Sequence, residues 1–125
     1  MTEPSDEYSI TVSNAGPVTV SALNGRASAS NSAAISVRVI DLVQELKPER
    51  LLIDCRDLEG RLDTAGTYYH VKAYPRVDHH PAKTVVLERP EHFEYFSFHE
   101  TVAANRGYPF RTMTGFDEAI RWLCR

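Results

Sequence analysis

The sequence is poor in cysteine: Cys55 and Cys124 are the only two in 125 residues. Two thiols cannot build a disulfide framework, and their scarcity points to a reducing, cytoplasmic setting. Long apolar runs are missing as well; none approaches the ~20 residues that a membrane span needs. Nor is there an excess of basic residues. Lys and Arg total 14 against 17 Asp and Glu, a formal net charge of −3, whereas a nucleic-acid binder usually carries a basic face. The start, Met1-Thr2-Glu3-Pro4-Ser5-Asp6-Glu7, has neither a basic n-region nor an apolar h-region, so no secretory signal is expected. No P-loop, dinucleotide glycine fingerprint, GxSxG or HExxH occurs.

Apolar residues make up 42% and charged residues 25%, the balance of a globular domain. A chain of 125 residues has room for one domain and can bury a core without staples. Residues 1–7 read as a disordered tail and 8–125 as a single domain.

Tyr8, Ile10 and Val12 alternate with Ser9, Thr11 and Ser13, the period of a half-buried strand. Asn14-Ala15-Gly16-Pro17 is a turn, and Val18, Val20 and Ala22 alternate again, which makes a hairpin. Asn24-Gly25 punctuates the second strand. The run from Ser28 to Ser36 offers several helix caps, and Ile35, Val39, Leu42 and Leu46 behind it form one helical stripe. Pro48 ends that helix. Leu51-Leu52-Ile53 and Val85-Val86-Leu87 read as strands covered on both faces. Leu58 to Leu62 is expected as a loop, Asp63 to Tyr74 as a helix and Pro75 to Lys83 as a polar loop. Glu91 to Ala104 is a helix with Pro90 at its first position and Gly107 as a left-handed stop. Phe110 to Met113 is a last strand. Thr114-Gly115-Phe116-Asp117 resembles a capping box for a final helix carrying Phe116, Ala119, Ile120 and Leu123 on one face. The order is β-β-α-β-α-β-α-β-α. It implies a single mixed, largely parallel sheet of about five strands, with an N-terminal hairpin and about four flanking helices.

In open α/β sheets, functional groups gather at the carboxyl ends of strands. That singles out Asp54, Arg56 and Asp57, and then Asp63, Thr64, Ala65 and Gly66 at the entry of the next helix. A threonine hydroxyl there faces solvent, and a phosphate on it would meet free N–H groups and the positive end of the helix dipole. Capping of the helix by Asp63 or Thr64 is the plain alternative.

Over nearly the whole chain this order resembles the STAS domain, the fold of bacterial anti-sigma-factor antagonists. Leu51-Leu52-Ile53-Asp54-Cys55-Arg56-Asp57-Leu58 is similar to that family's third strand, and Asp63-Thr64-Ala65-Gly66 to its Asp-Ser-Ser-Gly phosphoacceptor motif. The resemblance implies a non-enzymatic regulatory or protein-interaction domain with Thr64 as phosphoacceptor. Its partner would be a protein, a kinase-like regulator among the options. Threonine replaces the first serine and Ala65 the second. The segments from Phe93 to Gly107 and from Phe116 to Leu123 look like the SpoIIAA-like proteins of unknown function, whose fold resembles the lipid-binding CRAL-TRIO domains.

Other readings compete. Phe93, Tyr95, Phe96 and Phe98 exceed one helical stripe, so some of them face another element, a ligand or a second copy in a homodimer. With Tyr68 and Tyr69 opposite, Phe93 and Phe96 could wall a pocket for a small apolar ligand or lipid. Cys55 is a nucleophile candidate with Asp54, Arg56 and His70 as neighbours, although a cysteine at a buried strand end is more often inert. Asp54, Asp57, Glu59 and Asp63 could do acid–base work, against which stands simple pairing with Arg56 and Arg61. His92 and His99 lie about 10 Å apart along a helix, too far to share an ion, and His79-His80 reads as a solvated loop tip. No metal, cofactor or catalytic residue is expected.

Overall fold

Alternating apolar and small polar residues fold the first part of the chain into an antiparallel hairpin, β1 (Tyr8–Ala15) and β2 (Val18–Arg26). The structure, a computed structural model, describes residues 8–61 and 78–125. Gly16 has φ 59°, the sign that the first position of a two-residue type II′ loop requires, and Pro17 fixes the second. The Asn24-Gly25 dipeptide does not end the strand as expected. Both residues lie inside β2, pairing with Ser9 and Tyr8 on one side and with Asp57 and Leu58 on the other. Ladder bonds on both sides outweigh the local turn preference.

Helix α1 (Ser32–Leu46) follows, with Ile35 buried. Asn31 holds the capping position, but its side chain turns back into the preceding loop. Its Oδ1 accepts from the Ser28 N–H at 2.8 Å and its Nδ2 donates to the Arg26 carbonyl at 2.9 Å. Ser32 Oγ donates to the Ser28 carbonyl at 2.6 Å. The Ser/Asn run is therefore a tied loop that fixes how α1 leaves the sheet. Lys47 ends the helix in the left-handed region, φ 50°, donating its N–H to the Val43 carbonyl just before Pro48.

Next come β3 (Arg50–Glu59) and β4 (Lys83–Leu87). A short 3-10 turn, Pro90–His92, runs into α2 (Phe93–Asn105), so the proline opens the turn before the α-helix. Gly107, at φ 86°, stops α2; its N–H donates to Ala104 and that of Tyr108 to Ala103, a Schellman pair. β5 (Arg111–Met113) and α3 (Phe116–Leu123) complete the described elements. The expected capping box at Thr114 does not form: Gly115 is the capping residue and no side chain caps it. Asp117 and Glu118 in the first turn face the helix dipole instead. The helix expected over Asp63 to Tyr74 lies outside the described residues.

The five strands lie in the order β1-β2-β3-β4-β5, every pairing parallel except the hairpin. Val18, Val20, Leu52, Val85 and Leu87 pack with Ala119 and Leu123 of α3 on one face. Leu23, Cys55, Leu58 and Val86 pack with Ile35 of α1 and Phe96 of α2 on the other. Putting α1 and α2 on the same side is what right-handed crossovers moving in one direction along a sheet produce. The mixed α/β sheet is thus the architecture that the sequence implied.

Candidate functional site

β3 overruns its neighbour. β4 ends at Leu87, opposite Asp54, while β3 continues to Glu59 against β2 alone. The sequence placed a loop from Leu58; the structure places Leu58 in the strand and buries it. The physical reason is an irregularity in the ladder. Ala22 pairs with Asp54 but Asn24 pairs with Asp57, so β3 carries one extra residue there. The extra residue resets the alternation. Cys55 and Leu58, three apart, consequently face the same core as Leu23 and Ile35.

Asp54 and Arg56 make a two-pronged pair, with Arg56 Nε on Oδ1 at 3.0 Å and Nη2 on Oδ2 at 2.9 Å. The Arg56 backbone N–H adds a third bond to Oδ1, and the guanidinium lies 5.6 Å from the Phe116 ring centre. The hydrogen bonds it donates to Asp54 hold Arg56 above its already high pKa. Both oxygens of Asp54 are thus engaged, while Asp57 projects to solvent. Of the pairings expected among the described acidic groups, Asp54–Arg56 forms, and Arg61 takes Glu88; Asp63 lies outside the described residues.

Arg61 reaches Glu88, the residue after β4. Its Nη2 donates to Oε2, and its Nε donates to the same oxygen at 3.1 Å. Glu88 is fully buried, with its other oxygen accepting the Arg89 N–H at 2.9 Å. The Arg61 guanidinium also donates to the carbonyls of Leu58, Gly60 and Cys55, and it stands 5.6 Å from the Phe96 ring centre. One arginine thereby ties off the end of β3 and joins it to the end of β4. Outside this pair, Arg89 donates to Glu59 at 3.1 Å, and that bond draws the Glu59 carboxyl below its usual range. Gly60 makes the turn into Arg61 with φ 81°, and a Cβ there would collide with the Ala27 carbonyl oxygen.

Arg61 is the last described residue before the candidate phosphoacceptor. Asp63, Thr64, Ala65, Gly66, Tyr68 and Tyr69 lie outside the described residues. Of the two phenylalanines proposed as a pocket wall, Phe96 is buried and Phe93 is 42% exposed. Phe96 borders a cavity of about 200 Å³ that Phe93 does not touch. Leu23, Ile35, Ile53, Val86 and Phe110 line it, and Cys55 sits in its wall. The His99 ring stacks on Phe96 at 5.5 Å. Burial, and then the Glu88 charge, push the Cys55 thiol far above its usual pKa, so it is no nucleophile at neutral pH.

His79 is not a solvated tip. Its Nε2 lies 2.8 Å from the Pro48 carbonyl, and the Gln44 side chain clamps the backbone of Asp78 and His79. His80 sets its ring edge-on to Tyr108. Among the described residues no group of three or more His, Cys, Asp or Glu could hold a metal ion. No described helix is long and apolar enough to cross a membrane.

The sequence reading missed the Arg61–Glu88 pair and the part α1 plays in the cavity. The first had a signal: two charges beside the ends of two adjacent parallel strands. The second was latent in the Ile35–Leu46 stripe.

No family model matches the chain, and no curated protein does. Among solved structures it is similar to an anti-sigma factor antagonist from Mycobacterium paratuberculosis. The two align over 100% of both chains with 17% sequence identity and a TM-score of 0.58. The chain therefore has the STAS fold: one mixed five-stranded sheet with helices on both faces.

Proposed function

We propose that the protein is a non-enzymatic, STAS-like regulatory domain that binds a protein partner at the carboxyl edge of its sheet. Thr64 is its phosphoacceptor. The observation that carries this reading is the likeness, over the full length of both chains, to an anti-sigma factor antagonist. The local chemistry agrees with it. The carboxylates of Asp54, Glu59 and Glu88 are each hydrogen-bonded by an arginine. Cys55 is buried and protonated. Asp57 and the outer part of Arg56 remain for a partner to read. Phosphate on Thr64 would add about two negative charges beside Asp63 and repel an acidic surface.

The test combines phosphosite mapping after incubation with serine/threonine kinases and titration against purified anti-sigma factors of the same genome. Label at Thr64, with binding weakened at least about tenfold in Thr64→Glu, supports the reading. Label only elsewhere, together with full binding by Thr64→Glu, defeats it.

A second reading rests on the cavity of about 200 Å³ between α1 and α2: a carrier or sensor of a small apolar ligand. Native mass spectrometry of freshly purified protein decides it. A co-purified ligand displaced by Ile53→Trp supports the carrier, and a bare chain in every preparation rejects it.

A further inference from the structure

The polar groups around the cavity between α1, α2 and the sheet are largely committed already. Arg61 is the one Arg, Lys, Asp or Glu among the described residues that line it. Every N–H of its guanidinium is used: two bonds go to Glu88 and one each to the carbonyls of Leu58, Gly60 and Cys55. No donor is left there for a carboxylate or a phosphate. Ser32 donates its hydroxyl to the Ser28 carbonyl, and Gln44 spends both ends of its amide on Asp78 and His79. What the space offers an entering molecule is hydrocarbon and rings.

Its floor is a patch of sheet. Leu51, Ile53 and Cys55 alternate along β3, and Thr84 and Val86 along β4. The register sets Leu51 beside Thr84 and Ile53 beside Val86. Rings stand to the side. His99 stacks on Phe96 with 16° between the ring planes, Tyr95 meets Phe96 edge-on at 4.8 Å, and Phe110 meets His99 edge-on at 5.6 Å. An apolar cavity of about 150 Å³ stays dry and takes up benzene. One of about 200 Å³ therefore holds a ring with a short substituent and is too small for a long acyl chain. The wall reaches the surface at His80 and Pro109, both exposed, which gives an occupant a way in.

We infer that this cavity takes one small, uncharged aromatic molecule, a single ring with a short substituent. A charged ligand is excluded because a buried carboxylate or ammonium without a partner is costly, and the one fixed cation in the described wall is already spent on Glu88. A ring is favoured over an aliphatic body of equal size, because aromatic pairs gain from stacked and edge-to-face contact beyond the area they bury. The inference rests on the carrier reading above and names its ligand.

Methyl NMR of the full chain, titrated separately with toluene, methylcyclohexane and benzoate, tests it. Toluene should shift the Ile53 and Val86 methyls saturably, with a Kd below about 1 mM. Benzoate should bind at least about tenfold more weakly, because it carries a charge into the cavity. Methylcyclohexane should bind at least about threefold more weakly, because it lacks the π face. These wild-type titrations need no variant. Ile40 lines the cavity from α1, so Ile40→Trp fills it and should abolish the toluene shifts, whereas Phe93→Ser, outside the cavity, should leave them unchanged. Toluene and methylcyclohexane bound equally well overturn the aromatic ligand and leave the carrier reading standing. Binding of none of the three overturns both. Benzoate bound as tightly as toluene also overturns the inference, as do toluene shifts that persist in Ile40→Trp or vanish in Phe93→Ser.

Discussion

Removal of one half of the Arg61–Glu88 pair is expected to be among the most damaging single changes in the chain. The Glu88 side chain has 0% exposure and that of Arg61 8%. In Arg61→Met, among the described residues Glu88 keeps only the Arg89 N–H, and the carbonyls of Cys55, Leu58 and Gly60 lose a donor. An uncompensated buried charge costs about 3–5 kcal/mol. Against a total stability of about 5–15 kcal/mol that is a large fraction. At about 2.1 cal/mol/K of unfolding entropy per residue, a loss of 4 kcal/mol lowers Tm by about 15 °C. Glu88→Leu strands the guanidinium in the same way, although its three carbonyl partners soften the loss to about 2–4 kcal/mol. Replacing both groups removes both charges together. Arg61→Met with Glu88→Leu should therefore sit within about 1–2 kcal/mol of the wild type, far above the sum of the single changes. Urea unfolding followed by Trp122 fluorescence gives all four corners of this cycle, with an unchanged m-value as the check on two-state behaviour. Strict additivity, or a single-variant loss below about 1 kcal/mol, would refute the view that this pair ties the two strand ends together.

Four further outcomes follow from the same structure. Gly60→Ala sets a side chain against the Ala27 carbonyl at φ 81°; the expected loss is about 3 kcal/mol, with faster exchange of the Ala27 amide, and a neutral substitution would contradict it. Cys55 should resist iodoacetamide in the native state while Cys124 reacts, because Cys55 is buried and Cys124 exposed. The raised Cys55 pKa also makes the folded state bind that proton more tightly than the unfolded chain does, so its contribution is whole below the ordinary thiol value of 9.0 and falls as pH climbs above it. Urea melts of wild type and Cys55→Ala should therefore diverge in slope above that pH, and parallel curves would count against it. Lys83→Met deprives the Trp122 and Arg125 carbonyls of a donor and removes the cation 4.9 Å from the Trp122 ring centre. The expected cost is about 1–2 kcal/mol with a change in Trp122 emission, whereas unchanged emission would place the lysine away from the ring.

Local pattern was enough for much of this fold. Alternation around Val12 and Val20 specified the hairpin, because a strand with one wet face must repeat every second residue. Leu51-Leu52-Ile53 and Val85-Val86-Leu87 announced central strands, because parallel strands are covered on both sides. The stripe through Ile35 and Val39 and the apolar face of Ala119 and Leu123 placed α1 and α3 in the same way. What the pattern could not carry was adjacency. Arg56, Asp57 and Glu59 look like loop residues until β2 is seen to run beside them, and Asn24-Gly25 looks like a turn until two strands flank it. Arg61 has acids close by in sequence, yet it turns to Glu88, 27 positions away. That partner is chosen by which strand ends lie side by side, and a burial that deep forces the arginine to take a carboxylate within reach. The cavity likewise depends on the gap between two helices and the sheet, a distance that no single segment encodes.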